Sequence, residues 1–296
     1  MRVHDRVALA TCDAMPDGFE GDRALKTELE AAGARVSYVS WDDPGADWDA
    51  FDVVVVRSTF DYPRRRDEFL AWADSLDGRV RNFPDVLRWN SDKRYLADLA
   101  GAGLPVVPTI FVSPGDPLPP LHGEVVVKPT VSAGGRDTGR FAPAAHDAAR
   151  DLLVHIIEGG RVAMIQPYLR AVDERGETAL VFVAGQPSHV LRKRAVLAPD
   201  EVAPARDDDI GAAEIMYDED LVRAGEATDA ERALAVAIVD AVTERFGASP
   251  LYARVDLLAG EDGAPTLLEV ELVEPALYLA EAPAAARRLA AAIMAG

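Results

Sequence analysis

Four charged residues stand inside two apolar runs near the end of the sequence. Arg254 and Asp256 lie within Leu251–Leu258, and Glu269 and Glu271 within Thr266–Leu272; the polar turn Gly-Glu-Asp-Gly-Ala-Pro separates the runs. The pattern predicts a β-hairpin. Side chains alternate across a strand, so Glu269 and Glu271 share a face, about 7 Å apart. A carboxylate in an apolar run is unfavourable unless it is paired or metal-bound. Three of them beside an arginine suit a hard divalent cation with oxygen ligands. The plainer alternative is an edge hairpin with its carboxylates in water.

Lysine is scarce. Of 31 basic residues only Lys26, Lys93, Lys128 and Lys193 are lysines, and a compact ammonium is well suited to phosphate. Lys128 ends the apolar stretch Glu-Val-Val-Val-Lys-Pro and runs straight into Thr130–Gly135. The small residues Ser132, Ala133, Gly134 and Gly135 let the backbone approach a phosphate, and successive N–H groups can form an anion nest. The order differs from the P-loop, whose lysine follows the glycines. Lys93 falls in the first turn of a helix expected over Asn90–Ala100, capped by Asn90 or Ser91. A cation there opposes the helix dipole unless it meets an anion. Arg192-Lys193-Arg194 is a basic cluster at a strand end; Arg192 and Arg194 are candidate substrate contacts, against the simple reading of a solvated strand end.

The elements that must hold these groups begin with alternating strands and helices: Arg6–Cys12, a helix over 22–32, Arg35–Val39, Asp52–Val56, and a helix over Arg64–Leu76. Alternation of this kind predicts an α/β domain with a parallel sheet, whose ligands bind beyond the carboxyl ends of the strands. Two loops lie there, Thr11-Cys12-Asp13 and Arg57–Tyr62. Asp13, Arg57, Thr59, Asp61 and Tyr62 therefore become candidate contacts for a small zwitterion such as an amino acid, or else ordinary turn residues. Strands are expected over Leu104–Val112 and Gly123–Pro129, flanking a proline-rich connector, and over Val162–Gln166. A helix is expected over Asp147–Glu158, and a hairpin of Glu177–Val183 with Ser188–Arg194 turns at Gly185. Ala198–Tyr217 has no period and reads as a long surface loop or lid. Thr228 and Glu231 form a capping box for a helix to Phe246, and a last helix spans Pro283–Met294.

Composition removes several classes. The 296 residues carry a net charge of −19, which argues against non-specific nucleic-acid binding. One cysteine, Cys12, excludes an intramolecular disulfide and fits a reducing cytoplasm. The N-terminal stretch is too short in apolar residues for a signal peptide, and no run of about 18 apolar residues predicts a membrane span. The five histidines show no ligand spacing, and no protein nucleophile is evident.

Taken together, a lysine opening a helix, a strand ending in lysine before a Gly-rich loop, the hinge Gln166-Pro167-Tyr168-Leu169, and Arg-x-Asp followed by Glu-x-Glu thirteen residues on occur in one order. That order resembles the ATP-grasp superfamily of carboxylate–amine ligases over about residues 90 to 275. The resemblance implies an ATP-grasp fold with a Rossmann-like pre-domain (1–89), a central subdomain with a Gly-rich lid (90–165) and a C-terminal subdomain with the metal site (166–296). It implies that Lys93 and Lys128 contact ATP phosphates and that Ser132–Gly135 close over them. Gln166–Leu169 would meet adenine, Leu268 would pack under it, and Asp173 or Glu174 would meet the ribose. Asp256, Glu269 and Glu271 would hold two Mg²⁺, or Mn²⁺, and Arg254 would steady the transferred phosphoryl group. The family usually has Asn where Glu271 stands. Within the superfamily, Val-Val-Val-Arg-Ser-Thr-Phe-Asp-Tyr and Leu-Arg-Trp-Asn-Ser-Asp-Lys-Arg-Tyr look most like the cyclo-ligases of D-cycloserine biosynthesis, which implies O-ureido-D-serine as substrate and no membrane or nucleic-acid partner. An intermolecular amino-acid ligase, a small-molecule kinase and a non-catalytic ATP-binding protein are the alternatives, and a homodimer is an open expectation.

Overall fold

The computed structural model describes residues 4–203, 210, 212–218 and 220–295. In chain order the elements are β1 (Arg6–Thr11), α1 (Arg23–Ala31), β2 (Arg35–Ser40), β3 (Val53–Ser58), α2 (Arg66–Ser75), β4 (Val80–Arg81), α3 (Pro84–Asn90), α4 (Tyr95–Gly101), β5 (Ile110–Val112), β6 (Val125–Pro129) and β7 (Gly139–Phe141). They continue with α5 (His146–Glu158), β8 (Ala163–Pro167), α6 (Ala171–Arg175), β9 (Glu177–Val183), β10 (Gln186–Lys193), β11 (Glu201–Val202), β12 (Val222–Ala224), α7 (Asp229–Phe246), β13 (Tyr252–Ala259), β14 (Pro265–Glu271) and α8 (Pro283–Ala295). The strands form three sheets, ordered β2-β1-β3-β4, β11-β7-β6-β8-β5 and β12-β10-β9-β13-β14. The first is parallel throughout, as the unbroken valine run of β3 requires for a strand buried on both faces. The other two are antiparallel.

The third sheet carries two unlike faces. Leu180, Phe182, Ala253, Val255 and Leu257 meet α7, α3 and α4 in one core. On the other face Val181, Val183 and Tyr252 pack with Leu25 and Leu29 of α1 and with α8. Along β13 that second face turns from Tyr252 to Arg254 to Asp256, from apolar to charged within five residues. The alternation of a strand thus delivers the charged end into the space beneath the second sheet.

Two expectations are corrected. The helix expected over Asn90–Ala100 begins only at Tyr95, as α4, so Lys93 lies in the link before it and not in its first turn, and Asn90 ends α3 instead of capping a helix. Asn90 has tertiary work: its Nδ2 donates to the Val270 carbonyl at 2.7 Å and its Oδ1 accepts from Leu272 N–H at 2.7 Å. The strand expected over Leu104–Val112 is reduced to Ile110–Val112, because Pro105 and Pro108 cannot donate to a ladder. The intervening residues still bind β14, Val107 N–H donating to the Leu267 carbonyl at 2.9 Å. Of the expected lid Ala198–Tyr217, residues 204–209 and 211 lie outside the described residues. The hairpin expected of Glu177–Val183 with Ser188–Arg194 forms across Gly185, its second strand running Gln186–Lys193, and the Thr228–Glu231 capping box is present.

Candidate active site

The hairpin of β13 and β14 sets Arg254 opposite Glu271 and Asp256 opposite Glu269. Asp256, Glu269 and Glu271 each offer a carboxylate oxygen within 4.8 Å of the others. Asp256 is fully buried. Its Oδ1 accepts from Arg254 Nε at 2.9 Å, and its Oδ2 from Arg254 Nη2 at 2.9 Å. Lys193 of β10 donates to the same Oδ2 at 2.9 Å and lies 2.9 Å from Glu177. Burial acts to raise the Asp256 carboxyl, but Arg254 and Lys193 outweigh it and hold the group far below the usual range. Burial acts against the Lys193 ammonium, yet Asp256 and Glu177 hold its proton firmly.

Glu269 sits between the other two lysines of the site, Lys93 and Lys128. Lys93 Nζ is 3.7 Å from it and donates to the Ser132 carbonyl at 3.0 Å. Burial favours its neutral form, but Lys93 and Lys128 keep it ionised. Glu271 has less help: burial pushes it up to about 7, with Arg254 opposing and Glu269 and Asp256 adding. Glu274, three residues further on, is pushed up to about 8 by burial and by Glu271. Burial depresses Lys128, with Glu269 opposing.

Lys93 owes its place to its neighbours. Asn90 grips β14 on one side, and on the other the Tyr95 hydroxyl accepts from Val270 N–H at 3.0 Å. Lys93 itself pairs its N–H with the Thr130 carbonyl at 2.9 Å. The short link between α3 and α4 is thereby stapled both to the carboxylate strand and to the base of the Gly-rich loop.

These residues line one cleft of about 310 Å³, within the range of small-ligand sites. One part of its lining is apolar, with Val107, Tyr168, Leu169, Leu258 and Leu268 packed together beside Val126, Gln166 and Pro167. Another holds charged and small residues: Lys93, Lys128, Ser132–Gly135, Lys193, Arg254, Glu269 and Glu271. Met15, Phe19, Phe60 and Tyr62 are contributed by the loops of the first sheet. The Gly-rich loop is covered from outside: Ala213 N–H donates to the Gly134 carbonyl at 2.7 Å. A Cβ on Gly134, whose φ is +63°, would lie 2.6 Å from the Ala212 Cβ.

Other candidates fall elsewhere. Arg57 does not face the cleft: it is 1% exposed, with Nε and Nη2 on Asp22 Oδ1 at 3.0 and 2.8 Å, Nη2 also on the Pro275 carbonyl at 2.9 Å, and its guanidinium 5.0 Å from the Tyr252 ring centre. Asp61 is taken up by Trp41 Nε1 at 2.9 Å and Arg65 at 2.6 Å. Asp13, Thr59 and Asp61 are not among the cleft residues, whereas Tyr62 is. Arg192 donates to Thr178 and to the Glu226 carbonyl, and Arg194 pairs with Asp218 at 2.6 Å. Neither lines the cleft: alternation along β10 sends Lys193 inward and Arg192 the other way, and Arg194 lies just past the end of that strand. Asp173 and Glu174 are exposed and outside the cleft; Asp173 pairs with Arg140 at 3.0 Å and accepts from the Tyr168 hydroxyl at 2.5 Å. Lys193, Glu177 and Glu274 are the additions. The rarity of lysine was the available signal for Lys193.

Comparison with known proteins agrees with this geometry. The family described as "D-cycloserine synthetase DcsG, N-terminal domain" matches residues 7–83. The cycloserine biosynthesis protein DcsG of Streptomyces lavendulae is 35% identical over 305 residues, spanning 98% of this chain and 96% of that protein. The chain belongs to the DcsG family. A crystal structure of D-cycloserine synthetase DcsG superposes with a TM-score of 0.86 at 32% identity, covering 98% of this chain and 99% of the other. The D-alanine–D-alanine ligase of Bacillus anthracis complexed with ATP has the same fold, with a TM-score of 0.65 at 14% identity over 98% and 96% of the two chains. As a DcsG-family protein with the ATP-grasp fold, this is an ATP-dependent ligase that uses a divalent metal. Among the described residues no helix is long and apolar enough to cross a membrane.

Proposed function

We propose that this DcsG-family ligase converts O-ureido-D-serine to D-cycloserine in the cytoplasm. The reading is supported above all by the near-complete alignment with the Streptomyces lavendulae protein, joined to a single cleft in which an apolar lining, two lysines and a carboxylate trio come together. ATP would lie with its base against Gln166–Leu169 and Leu268 and its phosphates under Ser132–Gly135, beside Lys93 and Lys128. The amino acid would lie beside Tyr62. The three-part division 1–89, 90–165 and 166–296 is retained with this reading; β8 straddles its second boundary.

The donor set fits a magnesium site. Three convergent carboxylates supply hard oxygen ligands, and their oxygens come within 4.8 Å of one another, a crowding of like charge that a divalent cation would relieve. Asp256, Glu269 and Glu271 would hold two Mg²⁺, with Mn²⁺ a substitute; the bound metal would neutralise phosphate charge. The remaining chemistry falls to positioning. The substrate carboxylate oxygen attacks the γ-phosphorus and ADP leaves, giving an acylphosphate. Arg254, anchored by Asp256 and by the Ala276 carbonyl at 3.1 Å, presents a fixed cation to the phosphoryl group as its charge spreads. The ureido nitrogen bonded to oxygen then attacks the acyl carbon, phosphate departs, and hydrolysis of the carbamoyl group releases CO₂ and ammonia. Neither step needs a protein nucleophile.

A panel of amino acids with Mg·ATP tests this. ADP and phosphate release with O-ureido-D-serine alone, matched by ammonia, is the expected result. Release that requires a second amino acid would make the enzyme an intermolecular ligase, and a stable phosphorylated product would make it a kinase.

A further inference from the structure

The charged residues lining the cleft are Lys93, Lys128, Glu177, Lys193, Arg254, Glu269, Glu271 and Glu274. Six of them are paired within the protein: Lys93 with Glu269, Glu177 with Lys193, and Arg254 with Glu271, while Arg254 and Lys193 also hold the buried Asp256. Among the described residues, Lys128 and Glu274 alone in this set have no ion-pair partner. A cleft that neutralises its charges so thoroughly leaves these two for ligands. Lys128 at the foot of the Gly-rich loop suits phosphate. Glu274 lies near Tyr62 and Glu271, where an amino acid would sit; Lys93 and Arg57 are its cationic neighbours, but each is ion-paired elsewhere, with Glu269 and Asp22.

The backbone around Glu274 is unusually well held. Leu272 N–H and C=O bind Asn90 and Asn82 at 2.7 and 2.8 Å. The Val273 carbonyl accepts from the Tyr252 hydroxyl at 2.9 Å. The Pro275 carbonyl accepts from Arg57 at 2.9 Å, and the Ala276 carbonyl from Arg254 at 3.1 Å. Leu272, Val273 and Leu277 are buried. Five side chains, three of them the buried Arg57, Arg254 and Tyr252, thus fix the chain on both sides of one carboxylate that has no ion-pair partner. A loosely held surface acid would need none of this; a carboxylate that must meet a ligand group in one place would.

We propose that Glu274 is the counter-ion of the substrate's α-ammonium group, and that it selects amino acids over plain carboxylic acids. The assignment rests on the amino-acid ligase reading above. The α-ammonium is one carbon from the carboxylate to be phosphorylated, so fixing the first on Glu274 orients the second toward the nucleotide. Left without its cation, the part-exposed Glu274 also disfavours a substrate that lacks the ammonium, since binding would then desolvate the unpaired group for nothing.

The test compares O-ureido-D-serine with its desamino analogue, 3-(ureidooxy)propanoate, by ADP release from the full-length enzyme. Wild type favours the amino acid. In Glu274→Gln the ratio of kcat/KM between the two compounds falls about 10- to 100-fold, as the loss of a charge-assisted hydrogen bond implies, and the loss appears mainly in the KM for the amino acid. Glu274→Asp restores part of the ratio. The rise of the thermal midpoint with Mg·ATP, kept in both variants, reports an intact fold and nucleotide site. An unchanged ratio in Glu274→Gln, or an equal loss on both compounds, removes the assignment and leaves the ligase reading standing. A wild type that releases no ADP with any amino acid removes the ligase reading and the assignment together.

Discussion

The pair Arg57–Asp22 separates a structural from a substrate-binding arginine. Both side chains are 2% exposed or less, and the guanidinium is shared among Asp22, the Pro275 carbonyl and the Tyr252 ring. Replacing Arg57 by Met removes one charge from a buried pair and strands the Asp22 carboxylate. Asp22 is already raised by burial, with Arg57 the main opposing influence. Breaking such a pair costs about 3–5 kcal/mol. For a chain of this length the entropy of unfolding is about 0.6 kcal/mol/K near the midpoint, so Arg57→Met lowers the thermal midpoint by about 5–8 °C. Replacing both partners, as in Arg57→Met with Asp22→Leu, recovers much of that loss, because no unpaired charge remains. Differential scanning calorimetry of the two single variants and the double variant measures the coupling directly. A full wild-type midpoint in Arg57→Met, with only the amino-acid KM changed, would refute the structural account and return Arg57 to the substrate.

Three further outcomes follow from the site. Lys193→Met, which unlocks Asp256 and Glu177, cuts turnover about 10²- to 10³-fold, while Arg192→Ala, on the opposite face, and Arg194→Ala, just past the strand end, stay within about 2-fold; steady-state ADP release compares them, and equal losses for all three would mean that position on the strand does not decide their roles. Gly134→Val places a β-branched residue at φ +63° with its Cβ 2.6 Å from Ala212 Cβ; strain of about 1–3 kcal/mol should show as a KM for ATP raised about 10-fold, and wild-type kinetics would show that the loop tolerates a side chain. Cys12 is 1% exposed, and its thiol is pushed up to about 11 by burial, with Asp61 adding. A thiol whose pKa in the fold lies above its ordinary 9.0 stabilises the fold below about pH 9, an advantage lost as pH rises through about 11. A disulfide reagent at pH 7.5 should therefore leave native Cys12 untouched and titrate one thiol after denaturation.

Much of this was readable from residue order. The hairpin with Arg254, Asp256, Glu269 and Glu271, the parallel first sheet and the strand that ends at Lys128 are local patterns of period and breaker. Hydrophobic alternation and glycine are enough to write them. Ser132–Gly135 and Gln166–Leu169, which line the cleft, came with the same order of motifs. What needed the tertiary structure was the direction of individual charges. Arg57 and Tyr62 lie five residues apart in one loop region, yet one turns into the protein against Asp22, 35 positions earlier, and the other into the cleft. Lys193 parted from Arg192 only because a sheet has two faces, and which face meets the carboxylates depends on how β10 pairs through β9 to β13. Asn90 looked like a cap because sequence sees only its neighbours; its partners are Val270 and Leu272, some 180 positions away. A charge or an amide declares its chemistry in the sequence, but its partner is chosen by long-range packing, and in a buried cleft the partner decides whether the group belongs to the fold or to the ligand.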